Sequence, residues 1–238
     1  MAYELLILDR EEKAGRITLN RPEKRNALSA DLRYEIDRAL TELEEDEGVS
    51  VVVVTGAGPA FCAGFDTTEF SITDPEFQKK AEESAARYHY HLQHFRKPIV
   101  AAVNGPSLAG GLDLAVLCDV RIAAENAVFG HPEIKFGAPA LYPPLAELIG
   151  GSLARDLCLT GRRIDAQEAY RIGLVSQLVP PDRLMEEAMN TARLIAEAPL
   201  GTLMGIKGMV LGGYPWRFPE PGAAESSGLF GGGVSPRT

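Results

Sequence analysis

Apolar and polar positions change period several times along this chain, and each change marks an element. Residues 3–9 (YELLILD) and 16–20 (RITLN) carry β-branched and aromatic residues and predict two short strands joined by a polar turn at 10–15. Residues 20–28 (NRPEKRNAL) break that pattern, because Pro22 has no amide hydrogen to give to a ladder. From Ser29 to Glu47 the apolar residues Leu32, Ile36, Leu40 and Leu43 recur every three or four positions. That spacing predicts an amphipathic helix with Ser29 as its N-cap and Gly48 as its stop. Residues 50–55 (SVVVVT) are apolar nearly throughout, which predicts a strand buried on both faces, and a Gly-containing loop at 56–64 follows.

Beyond it the pattern predicts a helix over 75–95 closed by Pro98, a buried strand at 99–103 and a turn of small residues at 104–111. A short helix at 112–118 and a strand at 119–124 come next. The second half turns mostly helical. Asp165 and Glu168 form a capping-box-like start for a helix ending at Gly173. A strand at 174–179 and helices at 181–197 and 200–211 complete the order. Strands alternating with helices imply an α/β fold with right-handed connections, largely parallel pairing and a helical C-terminal part.

Composition narrows the class. A chain of 238 residues that is 45% hydrophobic and 24% charged is one soluble globular domain, and wholesale disorder is excluded. The Gly- and Pro-rich stretch 212–238 is the exception; it cannot bury enough apolar surface to offset its ordering entropy unless a partner holds it. A net charge of -9 argues against nucleic acid as a partner. No apolar run is long enough to span a bilayer, so no membrane partner is expected, and the start of the chain carries no secretory signal. Cys62, Cys118 and Cys158 are widely spaced without a C-x-x-C, which excludes a disulfide framework or a cysteine zinc site and fits a reducing cytoplasm. His89, His91 and His94 sit in one predicted helix. With no further ligands converging, a solvated or packing role is expected and no metal.

Candidate chemistry gathers at two bends, each following a buried strand. One is 60–66 (AFCAGFD) and the other 104–114 (NGPSLAGGLDL). Small residues there let the backbone approach a ligand and take up positive φ. Gly110 stands at the front of a predicted helix, where free N–H groups and the helix dipole favour a substrate oxygen that gains negative charge. Such turns also occur as plain punctuation. Two nucleotide readings fail: Gly56 and Gly58 are followed by Phe61 where a dinucleotide fingerprint needs its third glycine, and no phosphate loop of the G-x-x-x-x-G-K-[ST] type occurs. Ser107, in the second bend, leaves a serine-hydrolase alternative of the Clp-protease type.

Residues 20–28, 60–66, 104–114 and 130–133 (GHPE), in this order and spacing, resemble the enoyl-CoA hydratase/isomerase (crotonase) superfamily over about residues 3–211. The resemblance implies a crotonase-like spiral of β-β-α units over 1–195, followed at 196–238 by a C-terminal helix and a Gly/Pro-rich tail atypical of the family. It implies acyl-CoA thioester substrates, no cofactor beyond the coenzyme A of the substrate, and a homotrimer or a dimer of trimers. By position, the backbone N–H groups of Phe65 and Gly110 form an oxyanion hole, and Asp113 and Glu133 stand where hydratases carry two catalytic glutamates. Lys24, Arg25 and Ala27 are placed on the CoA side, and Ala63, Asp66 and Thr67 beside its adenine. The expected activity is addition of water across the 2,3 double bond of an enoyl-CoA through an enolate.

The chain departs from the family pattern at three places. Asp113 is one methylene shorter than the usual glutamate, and His131 replaces a common glutamine. Residues 137–144 (GAPALYPP) replace the Pro-Gly-x-Gly-Gly-Thr loop of hydratases. These departures keep two alternatives open: a double-bond isomerase using Glu133 alone, and a non-catalytic acyl-CoA-binding protein.

Overall fold

A computed structural model describes residues 2–211. The expectation for 212–238 lies outside the described residues. The chain opens with a hairpin of β1 (Leu6–Glu11) and β2 (Ala14–Leu19), paired antiparallel from Leu6 opposite Leu19 to Glu11 opposite Ala14. These strands run further into the polar stretch than the apolar pattern predicts. Arg10 and Glu11 belong to the ladder because β1 is an edge strand whose charged residues face outward, and Arg10 pairs there with Glu42 at 2.7 Å and Asp46 at 2.8 Å.

α1 (Ala30–Glu45) starts where expected, with the Ser29 hydroxyl accepting from the Leu32 amide. β3 (Val51–Gly56), α2 (Pro75–His94) and β4 (Ile99–Val103) follow. The predicted turn at 104–111 holds a two-residue strand, β5 (Ser107–Leu108), before α3 (Gly110–Leu117). Then come β6 (Val120–Ala124) and β7 (Val128–Gly130). α4 (Tyr142–Ile149) opens on two prolines, which the first turn of a helix tolerates because its amides lack intrahelical partners anyway. α5 (Gly151–Thr160), β8 (Arg163–Asp165) and α6 (Ala166–Arg171) lead on to β9 (Gln177–Val179), α7 (Leu184–Ala196) and α8 (Leu200–Leu211).

The main sheet has six strands in the order β1-β2-β3-β4-β6-β9, parallel everywhere except the opening hairpin. Its central strands β3 and β4 are buried at every position because both faces are covered. Val52 and Val54 join the core that contains Leu40 and Leu43 of α1, whereas Val51 and Val53 pack with Leu184, Ala188 and Ala192 of α7. The predicted strand at 174–179 shortens to β9, since Leu174 and Val175 turn back to Ala169 through their amides.

A second, three-stranded sheet of β5, β7 and β8 escapes the sequence pattern, because strands of two or three residues are too short to show a period. It positions the site. β5 pairs with β7, and the Ala109 amide donates to the Gly130 carbonyl at 2.9 Å, so the start of α3 lies beside the segment that carries His131 and Glu133.

Candidate active site

Three chain segments are laced together by backbone hydrogen bonds. Ala63 donates to Arg25 at 3.0 Å, Leu28 to Gly64 at 2.8 Å, Asp66 to Leu28 at 3.3 Å and Leu108 to Cys62 at 3.0 Å. These bonds join the 25–28 stretch to both bends. Asn26, fully buried, ties the same region from the side: its amide donates to the carbonyls of Ala57 at 3.0 Å and Ala60 at 2.8 Å.

Close backbone approach explains the glycines. Gly64 has φ +96, and a Cβ there would stand 2.8 Å from the Ala109 Cβ and 3.2 Å from the Gly110 nitrogen. A Cβ on Gly111 would collide with the Cys62 carbonyl oxygen. Ala109 holds φ 52, a conformation L residues rarely adopt, and such strain costs roughly 1–3 kcal/mol. That turn directs the next amide, of Gly110, out of the helix.

The amides of Phe65 and Gly110 have no acceptor among the described residues, although the amides around them do. Asp66 donates to Leu28, while Leu112 and Asp113 donate to Ala109. Two free N–H groups on adjoining bends form a ready receptor for a carbonyl oxygen that becomes negative. The Phe65 ring is clamped under the Arg33 guanidinium, 4.6 Å from its centroid, and packs beside His89. Arg33 is itself held by the Leu28 carbonyl, the Ser84 hydroxyl at 3.0 Å and the Ala81 carbonyl at 3.1 Å.

One turn into α3, Asp113 is 8% exposed. Burial pushes its carboxyl up to about 7; nearby His131 opposes that rise and Glu133 adds to it. His131 is wholly buried, and its Nδ1 lies 2.8 Å from Glu133 Oε1 and 3.9 Å from Asp113 Oδ1. Four buried polar atoms here lack partners among the described residues: Asp113 Oδ1, Glu133 Oε2, His131 Nε2 and the Tyr88 hydroxyl. Tyr88 on α2 is close enough to Asp113 for the carboxylate charge to raise its phenol, after burial as the larger cause. The site therefore offers two free backbone donors and two carboxyl groups, each with a buried oxygen that has no partner among the described residues.

The predicted CoA-side residues fall into two groups. Lys24 and Arg25 are exposed, at the end of a 3-10 turn over Pro22–Lys24, and their loop is stitched to Ala63 by the Arg25 carbonyl. Thr67 is exposed, and Ala27 is buried with its carbonyl held by Arg21. Asp66 is buried, and its carboxylate accepts from Arg21 at 3.0 Å, the Thr68 amide at 3.1 Å and the Thr68 hydroxyl at 2.7 Å. Burial works to raise its carboxyl, but the bonds from Thr68 and Arg21 hold it below the usual range. Asp66 thus braces the bend through internal bonds.

Ser107 is buried, and its hydroxyl donates to the Gly111 carbonyl at 2.9 Å. No histidine bonds to it among the described residues, which removes the serine-nucleophile alternative. His91 pairs with Asp37 at 2.8 Å and His94 stacks on Tyr90, both in packing roles. Sequence reasoning missed Arg33, Asn26 and Tyr88. Arg33 had a visible signal, a cation three residues before Ile36 on the apolar face of α1. Tyr88 also follows a pattern, lying in the buried Ser84–Tyr88–Leu92 stripe of α2.

Two free backbone amides near one buried and one half-buried acid suit carbonyl chemistry, and known proteins resemble this chain in sequence and fold. The sequence profile described as enoyl-CoA hydratase/isomerase matches residues 9–211. A probable enoyl-CoA hydratase of Rhizobium meliloti (strain 1021) is 43% identical over 210 residues, covering 87% of this chain and 81% of the relative. The crotonyl-CoA hydratase of Syntrophomonas wolfei is 37% identical over 205 residues, covering 84% of this chain and 79% of its own. The crystal structure of enoyl-CoA hydratase from Bacillus anthracis superposes with a TM-score of 0.82 at 35% identity, over 87% of this chain and 82% of that one. The chain belongs to the enoyl-CoA hydratase/isomerase family and is an enzyme of that family.

Proposed function

We propose that this enzyme adds water across the 2,3 double bond of a 2-enoyl-CoA. The observation that carries the reading is the pair of unpartnered amides at Phe65 and Gly110 beside Asp113 and Glu133. The thioester oxygen sits between the amides, which stabilise it as an enolate; removing one such donor costs about 10²–10³ in rate. One carboxylate takes a proton from water as the oxygen bonds to the β carbon. The other acid gives a proton to the α carbon as the enolate collapses. No electrons change hands, and both transfers fall to carboxyl groups, so the chemistry needs only the coenzyme A already attached to the substrate. Lys24 and Arg25 supply exposed positive charge for its phosphates.

Loss of enoyl absorbance with crotonyl-CoA, abolished in Glu133→Gln, tests the reading. The substitution lowers kcat about 10²–10⁴-fold, the usual weight of a general acid or base. Unchanged thioester with every chain length tried would rule the reading out. A second reading is isomerisation of a 3-enoyl-CoA by Glu133 alone. The short reach of Asp113 favours it, and product analysis with a 3-enoyl-CoA separates the two. Trimeric assembly, alone or paired into a hexamer, is part of the proposal. α8 supports it by leaving Ile206, Met209 and Val210 exposed, an apolar face suited to a second copy of this chain, and sedimentation analysis tests it.

A further inference from the structure

We propose that His131 is a positioning residue that makes the two carboxyl groups unequal, its Nδ1 proton engaging Glu133 so that the acidic proton of the pair stays on Asp113. The proposal rests on the acid-pair reading above and assigns the roles within it: Glu133 is the base and Asp113 the acid.

The argument begins with a shortage of donors. Asp113, buried, and Glu133, half-buried, flank one imidazole, and His131 is the only basic side chain within ion-pair distance of either acid among the described residues. Its Nδ1 is at bonding distance from Glu133 Oε1, 2.8 Å, and beyond it from Asp113 Oδ1, 3.9 Å. One N–H therefore serves one carboxylate. Every other titratable group facing the cluster is neutral when protonated: Cys62 on the first bend, Tyr88 on α2 and Cys158 on α5, all raised by burial. The cations nearest in the chain and in the small sheet, Lys135 and Arg163, are exposed.

Two neighbouring carboxylates largely withdrawn from water cannot both be charged cheaply when only one has a donor. The undonated one keeps its proton, and that is Asp113. A proton on Nδ1 leaves Nε2 as an acceptor, and it has no partner among the described residues. Glu133 is then held with Oε1 pinned and Oε2 without a partner among the described residues.

His131→Gln and His131→Leu separate this role from its rivals. Gln keeps an N–H for Glu133 without a titrating ring; Leu keeps bulk without a donor. His131→Gln is expected to hold kcat for crotonyl-CoA within about threefold and to preserve the shape of the pH profile. His131→Leu is expected to lower kcat about 10–100-fold with KM little changed, the loss of a bond to a charged group, and to narrow the bell as Glu133 and Asp113 compete for one proton. A His131→Gln enzyme as impaired as His131→Leu means that the imidazole itself carries protons, and overturns the proposal. So does an unaffected His131→Leu enzyme. Carbon-13 titration of the side-chain carboxyls provides a readout that needs no turnover. Glu133 ionised and Asp113 protonated near pH 6, a contrast lost in His131→Leu, supports the assignment; a protonated Glu133 against a bare Nδ1 reverses it. An enzyme inert toward every enoyl-CoA overturns the hydratase reading, while this titration still decides the assignment.

Discussion

In the proposed mechanism Asp113 combines catalysis with a cost to the fold. Its carboxyl is raised from 3.8 to about 7 chiefly by burial, so the native state binds more protons than the unfolded chain between those values. The sign follows directly: stability is fullest below about pH 4 for this group, falls as pH climbs toward 7, and stays reduced above it. Asp113→Asn removes the penalty. The variant should be more stable than the parent at pH 8 by about 1–3 kcal/mol, with the gap shrinking at pH 5, when thermal or urea unfolding is compared at both. It should also lose most of its activity, because an amide gives no proton to the α carbon. Ala109 shows a similar compromise, since its φ of 52 stores strain in the turn that frees the Gly110 amide.

Elements explain how such residues arrive in place. α3 is short, and its N-terminus would be free to drift without β5 and β7, which fix it against Gly130, and without Gly111, which seats it on Cys62. Gly111→Ala should destabilise the protein by about 1–3 kcal/mol and collapse kcat, since backbone is the obstacle and cannot rotate aside; unfolding and steady-state kinetics check both. The same elements mark the limit of what the sequence discloses. α1, α2 and α7 were legible because their periods run for three turns or more, and β3 and β4 because burial on both faces leaves continuous apolar runs. β5, β7 and β8 were not, because two or three residues carry no period. At the site, Phe65, Gly110, Asp113 and Glu133 could be named from their motifs. The bond from His131 to Glu133 and the capture of Asp66 by Arg21 depend on side-chain directions that only the packed molecule sets.

Across the whole molecule, charge is placed against the average. An acidic protein, net -9, still presents Lys24 and Arg25 together on an exposed turn laced to the 60–66 bend. Reversing both to Glu should raise KM for crotonyl-CoA about 5–20-fold with little change in kcat, and the effect should fade at high salt, as screened contacts do; kinetics at two ionic strengths test this. Both hydrophobic cores converge on the main sheet, so the strands that end at the two bends are held rigidly from both faces. The bends inherit that rigidity through their lacing. One consequence is measurable without any substrate. The amides of Phe65 and Gly110 are embedded in this rigid frame yet bonded to nothing among the described residues, unlike Asp66, Leu108 and Leu112 beside them. In deuterated buffer these two should swap their hydrogens far sooner than those neighbours. A thioester that docks its oxygen between them should slow that swap at both positions at once, a paired signature of occupancy legible before any bond is made or broken.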